Sequence, residues 1–202
     1  GYSSTVGGRD STESELSKRY LKSLFLPPFQ AAIDAGCATI MAGYQAVDGV
    51  PCSANAWLLK DVLRKEWGFH GMVVTDWDNL GHMHKDQKVC ATMEEATQRG
   101  VEAGNDMMMN TLEFPDLAIK LVKRGVVDEA VIDIACRRIL RLKFQLGLFD
   151  QNRYPELDRK NIVIGCQGHR QVALESAYQS IVLLKNEENL LPFDDSVIRL
   201  AV

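Results

Sequence analysis

Two carboxylates stand two residues apart in the stretch Val73-Val74-Thr75-Asp76-Trp77-Asp78-Asn79, directly after the apolar run Met72-Val73-Val74. A carboxyl group at the end of a buried strand can act as a nucleophile or ligand hook, because functional groups in parallel α/β sheets collect at the carboxyl ends of the strands. Aspartate also caps the helices that follow such strands. Position alone leaves Asp76 open between a catalytic and a structural role, and it favours a cap or turn for Asp78. Trp77 adds weight to Asp76. A large aromatic exposed at a strand end wastes apolar area unless something stacks on it, and the CH faces of sugar rings are suitable partners. A second strand end, Met41-Ala42-Gly43-Tyr44, precedes a turn made by Asp48-Gly49 and Pro51. A phenol beside a carboxylate can hydrogen-bond it and stabilise its charged form. An interior Met41 and a core Tyr44 are the plainer reading of the same residues.

Other candidates carry less. His82 and His84 alternate in a loop with no third ligand in reach, so they read as exposed polar side chains and no metal is expected. The glycines of "GYSSTVGG" do not form a phosphate loop, because no Gly-Lys-Ser/Thr follows. Glu94, Glu95 and Glu102 fall on a helical pattern as surface residues. The basic cluster "RRILRLK", Arg137 to Lys143, has helical spacing and reads as a solvated helix face. A net charge of -4 and a pI near 5.6 argue against nucleic acid or an anionic membrane surface as partner.

The elements that must position these groups alternate. Cys37 to Tyr44 and Gly71 to Asp78 are short apolar runs bounded by glycine, as expected of parallel strands covered on both faces, and Asn105 to Asn110 is a weaker third. Before them, Leu16, Tyr20, Leu24, Phe29 and Ile33 recur at helical steps behind a capping box of Thr12 and Glu15, and Pro27-Pro28 breaks that stretch into two helices. Asn55 is placed to cap a helix that buries Leu58, Leu59, Val62 and Leu63 and ends near Gly68. Thr92 and Glu95 form a second capping box, on a helix closing at Gly104. Asp128 stands before the periodic Ile132, Ala135, Ile139, Leu142 and Leu146. The βαβα order implies an α/β fold with a parallel sheet. From Asp150 the polar stretch "DQNRYPELDRKN" reads as a linker, followed by a helix around "HRQVALESAYQS" and the strand-like "VIRLAV".

The segment "LPPFQAAIDAGCATIMAGYQAVDGVPCSANAWLLKDVLRKEWGFHGMVVTDWDNL", followed by "AGNDMMM", "RRILRLKFQLGLF" and "SIVLLKNEENLLPF", resembles glycoside hydrolase family 3, which contains β-glucosidases and β-xylosidases. The resemblance runs from "GGRDS" to "VIRLAV" and implies the second half of a TIM-like (β/α)8 barrel running into the start of an α/β sandwich domain. Residues 1-149 would be the barrel half, 150-175 the linker region, and 176-202 the connection and first strand of the truncated sandwich. The nucleophile of the family's Ser-Asp-Trp motif would be Asp76, with Thr75 in the place of serine. Trp77 would flank the sugar, and the family's Met-x-x-Tyr pair would be Met41 and Tyr44, all three binding substrate. The implied activity is that of a retaining exo-β-glycosidase acting on a β-linked glucoside or oligosaccharide through a covalent glycosyl-enzyme. The alternatives are a β-xylosidase of the same family or a non-catalytic carbohydrate-binding relative.

The resemblance leaves the general acid/base unassigned. Some bacterial members carry a Glu six residues after the nucleophile, where this chain has His82. The family's Lys-His pair and the aspartate that grips the sugar would lie upstream of Gly1. Asp10, in "GGRD", matches a loop of bacterial members. The absence of histidine from "GGRDSTES" disfavours the β-N-acetylglucosaminidase branch. No cofactor is implied. An opening on Gly1 and an ending at "VIRLAV" suggest a fragment, expected to be inactive alone. No signal or membrane-spanning run is present in these residues. Five cysteines without CxxC spacing read as free thiols in a reducing compartment, which favours the cytoplasm.

Overall fold

The computed structural model describes residues 4–150, 154, 156–195 and 199. The chain forms two compact units, Gly1–Gln151 and Asn152–Val202. The first unit opens with β1 (Glu13–Ser14), α1 (Lys18–Tyr20), a π-helical turn at Leu21–Phe25 and α2 (Pro27–Asp34). It continues through β2 (Thr39–Ala42), β3 (Ala46–Val47), β4 (Val50–Pro51), a π-helix at Trp57–Glu66 and β5 (Met72–Thr75). Four helices follow: α3 (Asn79–Lys85), α4 (Met93–Ala103), α5 (Phe114–Lys123) and α6 (Glu129–Gln145).

β2 and β5 pair in parallel, from Thr39 opposite Met72 to Ala42 opposite Thr75. Val74 makes one further parallel bridge to Met107. The two expected strands are therefore present as four-residue cores, and the third contracts to a single bridge. Gly71 permits the close start of the pair, since a Cβ there would stand 2.1 Å from the Ala38 carbonyl oxygen. Ile40 and Val73 turn to one side, into a core with Leu59, Leu63, Phe69 and Ala103. Side chains alternate along a strand, so Met41, Met72 and Val74 face the opposite side, where Met41 stays half exposed.

The helix signals hold where the cap residue has no competing partner. Asn55 Oδ1 accepts the Leu58 amide at 3.0 Å, and Leu58, Leu59, Val62 and Leu63 are buried as expected. Thr92 Oγ1 accepts the Glu95 amide at 3.1 Å, and Asp128 Oδ1 accepts the Ala130 amide at 2.9 Å. Pro27 sits in the first turn of α2, where a missing amide donor costs nothing, and the preceding Leu26 amide reaches back to the Leu21 carbonyl at 3.0 Å.

The Thr12–Glu15 capping box does not form. The Ala46 amide donates to the Thr12 carbonyl and the Asp48 amide to the Ser14 carbonyl, so residues 12–14 serve as a strand edge beside β3. Thr12 Oγ1 turns instead to the Arg9 carbonyl at 2.8 Å, and the helix is capped by Ser17, whose hydroxyl accepts the Tyr20 amide at 3.2 Å. Tertiary pairing overrides the local preference.

A second correction concerns the basic cluster, one of whose arginines turns inward. Arg138 donates to Asp106 Oδ1 at 2.8 Å. Asp106 Oδ2 accepts from Arg64 at 2.6 Å and from the Val73 amide at 2.8 Å. Arg64 also donates to the Phe69 and Gly71 carbonyls at 3.0 and 2.6 Å. The Asp106 side chain is only 1% exposed, so this network ties α6 and the Trp57–Glu66 helix to β5 through a buried charge. Burial pulls the Arg64 guanidinium below its ordinary value, against the attraction of Asp106.

All five cysteines are free. Burial pushes the Cys52 thiol up to about 11, and Cys90 is raised for the same reason. Since thiolate is the reactive form, only about 0.1% of Cys52 is available at pH 8. Iodoacetamide at that pH should leave Cys52 and Cys90 unmodified until denaturant is added, as read by peptide mass mapping. Alkylation of native Cys52 at the rate of a free thiol would contradict this burial.

In the second unit, α7 (Leu157–Val163) lies within the stretch expected to be a linker, and α8 (Gln167–Ser180) is the expected helix. The strand expected at "VIRLAV" lies outside the described residues, apart from Arg199.

Candidate active site

The strand end that carries Asp76 is pinned from both sides. The Asp76 amide donates to the Ala42 carbonyl at 3.2 Å, continuing the β2–β5 ladder by one bond. Asn79 Nδ2 donates to the Ala42 and Gly43 carbonyls at 3.1 and 3.3 Å. Thr75 is wholly buried, and its hydroxyl oxygen accepts the Met109 amide at 2.8 Å. Strand alternation then puts the Asp76 side chain on the face of Val74 and Met41, away from the helix-covered core. The carboxylate is only partly exposed.

Two donors orient that carboxylate. The Trp77 amide donates to Asp76 Oδ1 at 2.7 Å. The Tyr44 hydroxyl faces the Asp76 side chain, near enough to serve as a second donor. Burial raises the Tyr44 phenol above its ordinary value of 10.0; the Asp76 bond and charge add to the rise, and the Trp77 backbone opposes it. Tyr44 is therefore a protonated donor at neutral pH. The Asp10 charge adds to the rise, and Ser11, 3.2 Å from His82 Nδ1, ties the "GGRD" loop to the ring that packs on Tyr44. The Trp77 ring is 58% exposed beside the carboxylate, so it is free to stack on a ligand.

Asp76, Tyr44 and Trp77 thus come together, and Met41 shares the face. A cavity of about 240 Å³ touches Asp76 and Met41. Its remaining wall is largely apolar, with Leu26, Phe29 and Leu58, and neither Tyr44 nor Trp77 lines it. A sugar needs polar partners, so the candidate site is the outer side of Asp76 between Tyr44 and Trp77.

Asp78 is a helix cap, as expected. In left-handed conformation with φ 48°, it accepts from the Gly81 amide at 3.3 Å and from Thr111 Oγ1 at 3.2 Å. The histidines are each occupied by neighbours. His84 Nδ1 lies 3.1 Å from the Cys90 carbonyl, and His82 Nδ1 lies 2.5 Å from Asp86 and 3.2 Å from Ser11 Oγ. Among the described residues, no group of three or more His, Cys, Asp or Glu could hold a metal ion.

The three glutamates are held on the surface. Glu94 pairs with Lys120 at 2.5 Å and with Arg124, and these two cations hold its carboxyl below the usual range. Glu95 bonds Arg99, and Glu102 accepts from Gln98. Two residues that support the site gave no signal in the sequence reading: Asn79, and Gln87, whose Nε2 donates to the Tyr44 carbonyl at 2.9 Å. A buried amide that braces backbone carbonyls leaves no trace in hydrophobic periodicity.

Known proteins match this chain over nearly its whole length. A β-xylosidase of Formosa agariphila is 38% identical over 207 aligned residues, covering 98% of this chain and 28% of its own length. The lysosomal β-glucosidase of Dictyostelium discoideum is 38% identical over 203 aligned residues, covering 98% of this chain and 25% of its own. Among solved structures, a β-glucosidase involved in saponin metabolism from intestinal bacteria superposes with a TM-score of 0.84 at 48% identity, over 96% of this chain and 25% of that one. The chain thus spans about a quarter of the length of these relatives. Residues 1–142 match the Glycosyl hydrolase family 3 N terminal domain. With the match covering most of the first unit and the strand-end aspartate, tyrosine and tryptophan gathered there, the chain belongs to glycosyl hydrolase family 3.

Proposed function

We propose that the intact protein is a retaining exo-β-glycosidase, acting on β-glucosides, with Asp76 as its nucleophile. The observation that carries this reading is the partly exposed Asp76 carboxylate at the end of β5, held by Tyr44 and the Trp77 amide beside an exposed indole. The first unit would be the second half of a (β/α)8-type barrel. Its parallel strands, intervening helices and half-exposed Met41 on the uncovered face favour that architecture. The second unit would lead into an α/β sandwich.

In this mechanism an Asp76 oxygen attacks the anomeric carbon as the bond to the leaving oxygen breaks, giving a glycosyl ester. Water then cleaves the ester with net retention. Such enzymes place a second carboxyl group roughly 5 to 5.5 Å from the nucleophile to protonate the leaving group. Tyr44 and the Trp77 amide hold the carboxylate in one orientation, so little rotational freedom is lost at attack. Trp77 offers its face to the CH side of the sugar, and Met41 adds apolar contact below it. No step requires a metal or cofactor.

A β-xylosidase is the second reading, favoured by the Formosa relative, which is as similar to this chain as the Dictyostelium β-glucosidase is. The 48% identity to a solved β-glucosidase favours glucosides. A panel of nitrophenyl glycosides, followed by proton NMR of the first-formed sugar, tests both points on the intact protein. The expected result is highest kcat/KM on the β-glucoside and the β-anomer released first. Release of the α-anomer would overturn retention, and faster xyloside turnover would overturn the substrate.

A further inference from the structure

Resting on the nucleophile reading above, we infer that His82 is a positioning residue, which holds Tyr44 against Asp76 and joins the Asp10 loop to the helix that follows the nucleophile. His82 lies in the first turns of α3, whose start is fixed by the Asp78 cap, and its amide donates to the Asp78 carbonyl at 2.9 Å. Its ring meets the Tyr44 ring edge-on, with centroids 4.9 Å apart and planes at 67°. That is the favourable geometry for an aromatic pair.

The imidazole is itself clamped. Asp86, one turn further on at the C-terminal cap of α3, places a carboxylate oxygen 2.5 Å from Nδ1. An ionised carboxylate only accepts, so Nδ1 carries the proton and the tautomer is fixed. Ser11 Oγ, 3.2 Å from the same nitrogen, then serves as a second acceptor. Ser11 holds a left-handed backbone, φ 55°, next to Asp10, whose charge reaches Tyr44. Strain of this kind persists only where surrounding contacts fix it. Tyr44 is thus held at its ring by His82, at its carbonyl by Gln87 and at its hydroxyl by Asp76. Of these three, the His82 contact is the one that leads on to residues 9–12, through Ser11.

A double-mutant cycle on the full-length protein tests this, with nitrophenyl β-glucoside as substrate. In the native background His82→Ala should lower kcat about tenfold while KM changes less than about twofold, because orientation of the nucleophile is lost and sugar contacts are kept. In a Tyr44→Phe background, where the Asp76 bond is already absent, the same change should cost less than about twofold. Asp86→Asn, which weakens the clamp and keeps the ring, should give a smaller loss that also disappears with Tyr44→Phe, and it serves if His82→Ala does not fold. Losses that multiply across the two backgrounds, or an unchanged kcat in both His82→Ala and Asp86→Asn, would overturn the positioning role. Asp76→Ala run in parallel separates the two readings. Its inactivity beside a failed cycle refutes His82 alone, and its full activity refutes both.

Discussion

Asp76→Ala in the intact protein should lower kcat by about 10⁴-fold or more, the scale on which loss of a covalent nucleophile registers. That corresponds to about 5.5 kcal/mol of lost transition-state stabilisation. The fold should survive, because the Asp76 side chain is partly exposed and its partners are the Tyr44 hydroxyl and the adjacent Trp77 amide, both at the surface of the site. The strand end is held by backbone and by Asn79, which the substitution leaves in place. Circular dichroism should therefore be unchanged while turnover of nitrophenyl β-glucoside vanishes. Azide, small enough for the vacated space, should restore part of the rate and yield an α-glycosyl azide. A variant with near-native turnover would remove Asp76 from the mechanism.

The second large effect is on stability. Asp106→Ala should destabilise the first unit by about 3–5 kcal/mol, since it strands a buried charge network by removing its anion. Arg64, 11% exposed, and Arg138, 27% exposed, would lose their common partner, and the Val73 amide would lose its acceptor. For a domain of this size the melting temperature should fall by roughly 6–20 °C. The comparison is Glu66→Ala. Its partner Lys22 is 43% exposed, and solvent screening reduces such a pair to about 0–1 kcal/mol. Equal losses in the two variants would show that the Asp106 network is not a structural tie.

The two effects separate what the sequence makes legible from what it hides. Asp76 and Asp78 stand in one short stretch, where position already favours a cap for Asp78 but leaves Asp76 open, and only the strand pairing shows which face Asp76 takes. Trp77 is legible as well, because a tryptophan between two carboxylates at a strand end has little to bury against. The caps at Asn55, Thr92 and Asp128 are local, depend on three or four residues, and form as expected.

Features set by distant partners are not legible in this way. Thr12 and Glu15 have the spacing of a capping box, but residues 12–14 are taken by β3, more than thirty positions away. Arg138 looks like its neighbours Arg137 and Arg141 until Asp106 captures it. Asn105 and Asp106 begin a stretch with a weak strand pattern because both are buried polar residues. Asn105 Nδ2 donates to the Ser53 and Gly100 carbonyls at 2.7 Å each. Periodicity counts such residues as surface, and only the tertiary structure supplies the partners that make burying them tolerable.

The most direct test of the central claim is to trap the glycosyl-enzyme. A 2-deoxy-2-fluoro-β-glucoside with an activated leaving group slows both steps, and the leaving group restores the first, so the ester accumulates. Incubated with the intact protein and digested at low pH, it should add one fluoroglucosyl mass to the peptide containing Val73 to Asn79, with fragmentation placing the ester on Asp76. A label on any other residue would contradict the account.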